Sequence, residues 1–326
     1  MLGFVRRLVN AVALLLAVVV LNFTLIQAAP GDPAMVIAGE MGGASQEVLA
    51  DIRARYGLDR SKGEQLVTYV TKVAHGDFGY SFYFNRPVAA LILQRLPATL
   101  LLVLTSLFAA VLVGAWLGIL CARNPDGALS QIVSVFAIAG YAAPVFWTGL
   151  MLLVLFASVW PVLPVGGMSD LASPKSGLAL VTDIARHLVL PAATLAIVYV
   201  AQYSRLTRTS MIEVLGADYV RTARAKGLPE LVVVYKHALR NALIPLVTVV
   251  GLQFGQVLAG AVLVETVFAW PGLGRLVFDS ILRRDYPTLL GVLFFSALVV
   301  LAANLVTDLV YRLIDPRIRT AGSGVS

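Results

Sequence analysis

The chain has 326 residues, 59% of them hydrophobic and only 13% charged, where soluble domains are about half apolar and a quarter charged. That balance excludes an ordinary soluble domain and indicates an all-α integral membrane protein. The net charge of +7 fits basic loops on one side of a bilayer and does not imply a nucleic acid partner.

Six stretches carry the roughly 20 apolar residues that a spanning helix needs: residues 8–28, 98–122, 129–159, 188–205, 243–268 and 288–309. The first follows Arg6 and Arg7, but its apolar run exceeds the 7–15 residues usual for a secretory signal, so it reads as a retained helix, residues 1–29. Residues 30–97 form a small extracytoplasmic element opened by a Pro30-Gly31-Asp32-Pro33 turn. Within it, residues 47–56 and 64–74 have helical spacing, with Gly57 and Gly76 as stops.

Residues 98–314 form the remaining five-helix core, and residues 315–326 a cytoplasmic tail. In the second span, Gly114 and Gly118 make a small-xxx-small pair, as do Gly251 and Gly255 in the fifth. Cys121, the single cysteine, excludes an intrachain disulfide and reads as a small packing residue. Residues 160–187, rich in Pro and Gly, are expected to be irregular and to lie outside the membrane. The fourth span is diluted at its end by Gln202, Tyr203 and Ser204, and Pro191 sits near its start.

Residues 205–245 interrupt the apolar pattern with seven bases: Arg205, Arg208, Arg221, Arg224, Lys226, Lys236 and Arg240. Met211, Leu215, Tyr219 and Ala223 recur at steps of four, which predicts one amphipathic helix. Gly227 supplies its C-cap, Pro229 cannot continue it, and a second short helix is predicted over 230–242. Two short helices about a glycine turn make a knob suited to a groove on a partner; the same pattern also fits a loop lying on lipid headgroups.

In the fifth span Gln253, Gln256 and Gly260 are spaced three and four apart, as a candidate translocation-pathway wall or as interhelical hydrogen-bonding groups. Glu265 and Asp308 are the acids at predicted spans. Each lies near an end, where water or a neighbouring helix is within reach. Basic residues concentrate on the side that carries Arg6, Arg7, Arg123, the 205–245 knob and Arg312, Arg317 and Arg319. The positive-inside rule therefore assigns both termini and the knob to the cytoplasm.

Read in full, DYVRTARAKG (residues 218–227) followed by HALRNALIP (237–245) resembles the ATPase-docking loop of permeases of binding-protein-dependent ABC importers, in the dipeptide, oligopeptide and nickel branch. The family's Glu-Ala-Ala-x-x-x-Gly pattern aligns on Arg221, Thr222, Ala223 and Gly227, of which Ala223 and Gly227 match. The PGDP, YGLD (56–59), GDFGYS (76–81), RLPATL (95–100), ETVFAWPGLGRL, RRDYP and LIDPRIR stretches extend the resemblance over nearly the whole chain.

The resemblance implies a permease subunit forming half of a pathway for short peptides, with a second homologous permease, two ABC ATPase subunits carrying ATP and Mg, and an extracytoplasmic solute-binding protein received by the outer element. It implies an ATPase-coupling role for Asp218, Tyr219, Arg221, Thr222, Ala223, Lys226 and Gly227. Nickel complexes or glutathione are alternative cargoes within the branch.

No G-x-x-x-x-G-K-[ST] stretch is present to cradle ATP phosphates, so hydrolysis is expected in another chain. His75, His187 and His237 are dispersed, with no second cysteine to complete a metal set, and no catalytic constellation is visible. A stand-alone secondary transporter would need coupling ions or a pore within this chain, and only two acids at the spans with no evident inverted repeat make that reading less attractive.

Overall fold

The structure is a computed structural model describing residues 2–28, 35, 45–56, 59–81 and 83–314. The expected PGDP turn, the Gly57 stop, the LIDPRIR end and the 315–326 tail lie wholly or partly outside the described residues, as does the Asp308 side chain. The chain divides into two units, residues 1–97 with 272–301, and residues 98–271 with 302–326.

The first unit contains α1 (Leu2–Ala28), α2 (Gln46–Tyr56), α3 (Lys62–Ala74), a two-residue hairpin of β1 (Tyr80–Ser81) and β2 (Arg86–Pro87), the start of α4 (Val88–Arg123), α12 (Leu273–Arg283) and most of α13 (Tyr286–Ile314). α3 begins with a reciprocal cap: the Ser61 hydroxyl accepts from the Glu64 N–H at 3.3 Å, and Glu64 accepts from the Ser61 N–H at 3.2 Å. α3 packs on α1, with the Gln27 amide donating to Gln65 at 3.0 Å. Val88, Leu91, Ile92, Leu273, Leu276 and Val292 form the unit's core. Asp285 caps α13 through the Thr288 N–H and accepts from the buried Ser81 hydroxyl.

The second unit holds the rest of α4, α5 (Ala128–Ala142), α6 (Val145–Leu153, extended by a π turn over Val154–Val159), α7 (Gly177–Leu215), α8 (Asp218–Ala225), α9 (Glu230–Val232), a π turn over Val233–Ala238, α10 (Leu239–Ala242) and α11 (Ile244–Val267). α4, α7, α11 and α13 are each long and apolar enough to span a bilayer. At 36 and 39 residues, α4 and α7 would extend about 54 and 58 Å, well beyond the ~30 Å hydrocarbon layer.

The expected third span is not one straight helix. α5 and α6 meet at a bend of 108°, because Pro144 cannot donate its missing N–H and holds Ala143 extended. Pro97, by contrast, lies inside α4, so that helix starts at Val88 and not near residue 98. The region expected to be irregular through residue 187 becomes helical at Gly177. The preceding loop is tied to α7 by Asp183, which accepts from the Asp170 N–H at 2.8 Å and Lys175 at 2.6 Å.

α7 packs against α5, α6 and α11, and 44% of its apolar window is buried, against 28% for α4 and 33% for α11. The polar residues that dilute its sequence turn inward. Tyr203 and Ser204 are buried, and Gln202 accepts from Gln253. Polar groups in a membrane helix are stabilised where another helix offers a partner. Gly114 and Gly118 lie against the same helix: an added Cβ on Gly118 would stand 2.5 Å from the Thr207 Cβ and 2.7 Å from the Ser204 carbonyl oxygen.

Candidate functional site

The 205–245 segment folds as two short helical pieces, but the amphipathic helix expected to run unbroken through 211–223 is divided. α7 ends at Leu215, Gly216 and Ala217 turn the chain, and α8 restarts at Asp218. Steps of four therefore do not place Tyr219 and Ala223 in line with Met211.

Gly227 stops the second piece as expected. Its φ of +75° is left-handed, and no atom would meet a Cβ within 4 Å, so glycine is favoured there by the backbone and not by crowding. Pro229 opens the return piece, which runs to Ala242 with the π turn in its middle.

Two apolar clusters fix the knob. Val220, Ala223 and Val233 pack together against Val214 and Leu215. Val234, Ala238 and Ala242 pack with Met211 and with Ile119 and Ala122 of α4. Across the glycine turn, Arg224 donates to both oxygens of Glu230, Nε–H at 3.2 Å and Nη2–H at 2.9 Å. Arg224 also donates to the Leu215 carbonyl. These hydrogen bonds hold the Glu230 carboxyl below its ordinary range and raise the guanidinium above its own. Asn241 donates to the Tyr219 hydroxyl at 2.9 Å, joining α8 to α10.

Of the seven coupling candidates, Ala223 faces inward. Asp218, Tyr219, Arg221, Thr222, Lys226 and Gly227 are exposed. The Arg221–Asp218 pair, 3.5 Å apart with side chains 73% and 97% exposed, contributes little to stability. Beside this ridge stand Leu228, Leu231 and Tyr235, apolar side chains 37%, 64% and 47% exposed. Sequence reasoning missed these residues and the Glu230 clamp. The signal was present in Leu231, an apolar residue between Glu230 and the inward Val233 and Val234.

The pathway candidates separate. Gln253 is buried and donates to Gln202 at 2.8 Å. Gly260 packs under Leu195, while Gln256 is exposed. On a 100° helical step, positions 253 and 260 share a direction and 256 stands about 60° away. Glu265 does not reach water: it is fully buried and accepts from Thr99 at 2.6 Å. The buried Trp270 indole donates to the Ala98 carbonyl at 2.8 Å. Among the described residues no group of acids, histidines and cysteine is arranged to hold a metal.

Residues 114–320 match the family described as binding-protein-dependent transport system inner membrane component, and residues 1–103 match its N-terminal companion. The chain belongs to this permease family. It is a multi-pass inner membrane protein and a permease subunit of a binding-protein-dependent transport system.

Among its relatives, the dipeptide transport system permease protein DppB of Escherichia coli K12 is 40% identical, covering 98% of this chain and 99% of its own. The di/tripeptide permease DppB of Pseudomonas aeruginosa is 41% identical over the same shares. The oligopeptide permease AppB of Bacillus subtilis is 37% identical, over 96% and 98%. In fold, the permease resembles a chain of the MetNI methionine ABC transporter, with a TM-score of 0.54 at 17% identity over 69% of this chain and 96% of that one.

Proposed function

We propose that this permease forms half of the pathway of an ABC importer for short peptides, with the 205–245 knob as its ATPase-docking lever. The observation that carries this reading is the knob itself. It is a packed two-helix unit closed by the Arg224–Glu230 pair, and it presents an exposed ridge that includes Tyr219, Leu231 and Tyr235. Full-length similarity to permeases named for dipeptides and oligopeptides supports the cargo.

In this reading the partners are a second permease chain, two ATPase subunits that bind ATP and Mg, and an extracytoplasmic binding protein. α1, α4, the bent α5–α6 pair, α7, α11 and α13 make six crossings, with both termini and the knob in the cytoplasm. Closure of the ATPase pair moves the knob as a rigid body and tilts the helices attached to it.

Gentle purification from the native membrane followed by mass spectrometry is expected to recover ATPase chains and a second permease. Gly227→Asp is expected to abolish peptide uptake with membrane insertion intact. A Cβ at φ +75° costs about 1 kcal/mol, and the new carboxylate competes with Glu230 for Arg224. Recovery of the chain alone, transporting without ATP, would overturn the assignment.

A further inference from the structure

A cavity of about 140 Å³ lies where α4, α5 and α7 meet near the α4–α5 turn, lined by Cys121, Val133, Ser134, Ala137, Ser204, Arg205 and Arg208. Arg208 donates through Nη2 to the Pro125 carbonyl at 2.9 Å, which anchors the guanidinium. Its Nε is buried and has no partner. Neither Arg205 nor Arg208 forms an ion pair with a described acid, and no carboxylate lines the cavity. The Ser204 hydroxyl donates to the Ala201 carbonyl at 3.0 Å and the Ser134 hydroxyl to the Ser130 carbonyl at 2.7 Å, so the N–H donors left for the space are those of the arginines. Two cations against apolar walls, one with an unused buried donor, call for an anionic acceptor from outside the chain.

We propose that this cavity binds the phosphate of an anionic phospholipid headgroup. The space is well below the ~300 Å³ at which pockets enclose a whole small molecule, so it takes one phosphate group whose remainder lies outside. α5, which supplies one wall, turns Ile132, Val135 and Phe136 outward at 54%, 65% and 73% exposure, a surface suited to acyl chains. The proposal rests on the topology above, which sets this end of α7 at the inner leaflet, where basic pockets between helices meet anionic headgroups.

The test is native mass spectrometry of the complete purified complex, delipidated and then titrated with phosphatidylglycerol or phosphatidylcholine. Wild type is expected to retain one phosphatidylglycerol in preference to phosphatidylcholine, and millimolar inorganic phosphate is expected not to displace it. Arg205→Gln with Arg208→Gln is expected to weaken retention about 25-fold, from roughly fivefold per basic residue. If the double variant does not fold, the exposed Arg205→Gln alone is expected to cost about fivefold.

Unchanged retention in the variants, or equal binding of the two lipids, would overturn the site. Displacement by inorganic phosphate would overturn its assignment to lipid. Two further readouts separate failure of the site from failure of the importer reading: co-purifying ATPase chains, and the side from which a cysteine placed at residue 127 is labelled.

Discussion

Arg224 joins three parts of the knob at once: its own helix α8, the Leu215 carbonyl at the end of α7, and Glu230 beyond the glycine turn. Because Arg224 holds the folded-state carboxyl of Glu230 below its unfolded value, the pair's contribution is complete above that unfolded value, near 4.5. It is lost as pH falls through the lower folded value. Limited proteolysis at the 226–229 turn is therefore expected to be flat between about pH 7 and 5 and to accelerate below about pH 4. In Glu230→Gln, cleavage should be faster than in wild type above about pH 5 and should converge with it in acid, so that the acid step is lost. The sequence made Gly227 and Pro229 legible because their constraints are local to the backbone. Glu230 as a clamp was not legible, since its partner is chosen by how the turn closes. Gln202 escaped for the same reason: its role depends on Gln253, 51 positions away.

At the scale of elements, α7 shows where apolar patterning informs and where it misleads. A run of glutamine, tyrosine and serine weakens a hydropathy signal, yet these side chains belong to the most buried span. Composition measures contact with lipid, and a helix that touches other helices can afford hydroxyls and amides. The break at Pro144 and the continuity through Pro97 were illegible for a related reason, because a proline's effect depends on whether neighbours support the interrupted turn. The Gly118 pairing was legible in the small-xxx-small spacing. Gly118→Val is expected to lower the thermal midpoint in detergent, at a cost of about 1–3 kcal/mol, because the obstructing atoms include the Ser204 backbone oxygen. Gly63→Ala in α3, which meets nothing within 4 Å, should leave the midpoint unchanged within about 1 kcal/mol.

For the whole molecule, orientation rests on the distribution of bases, which a single chain displays without any structure. Cys121 is the chain's one cysteine and is buried, so introduced cysteines can report sidedness against little background. Cysteines at residues 127 and 217 are expected to react with an impermeant maleimide only after the inner face is opened, and one at residue 167 from outside in intact cells. Reversal of that pattern would overturn the topology. The bent α5–α6 pair was hidden from the sequence because both halves are apolar, and an apolar run of that length fits one crossing as well as a folded-back one.

The π turn at Val233–Ala238 gives the knob an angular phase relative to α11. One residue more than an α-turn is wound into it, so Val234, Ala238 and Ala242 stay on one buried line at steps of four, where a uniform α-helix would drift by about 40° per step. Inserting an alanine after the exposed Tyr235, into a turn that already holds its extra residue, would rotate Leu231 by about 100° about the axis. The expected product is a permease that inserts at wild-type levels, measured by immunoblot of membranes, yet no longer takes up peptide. Every helix of the knob would be present, with its exposed ridge pointing the wrong way.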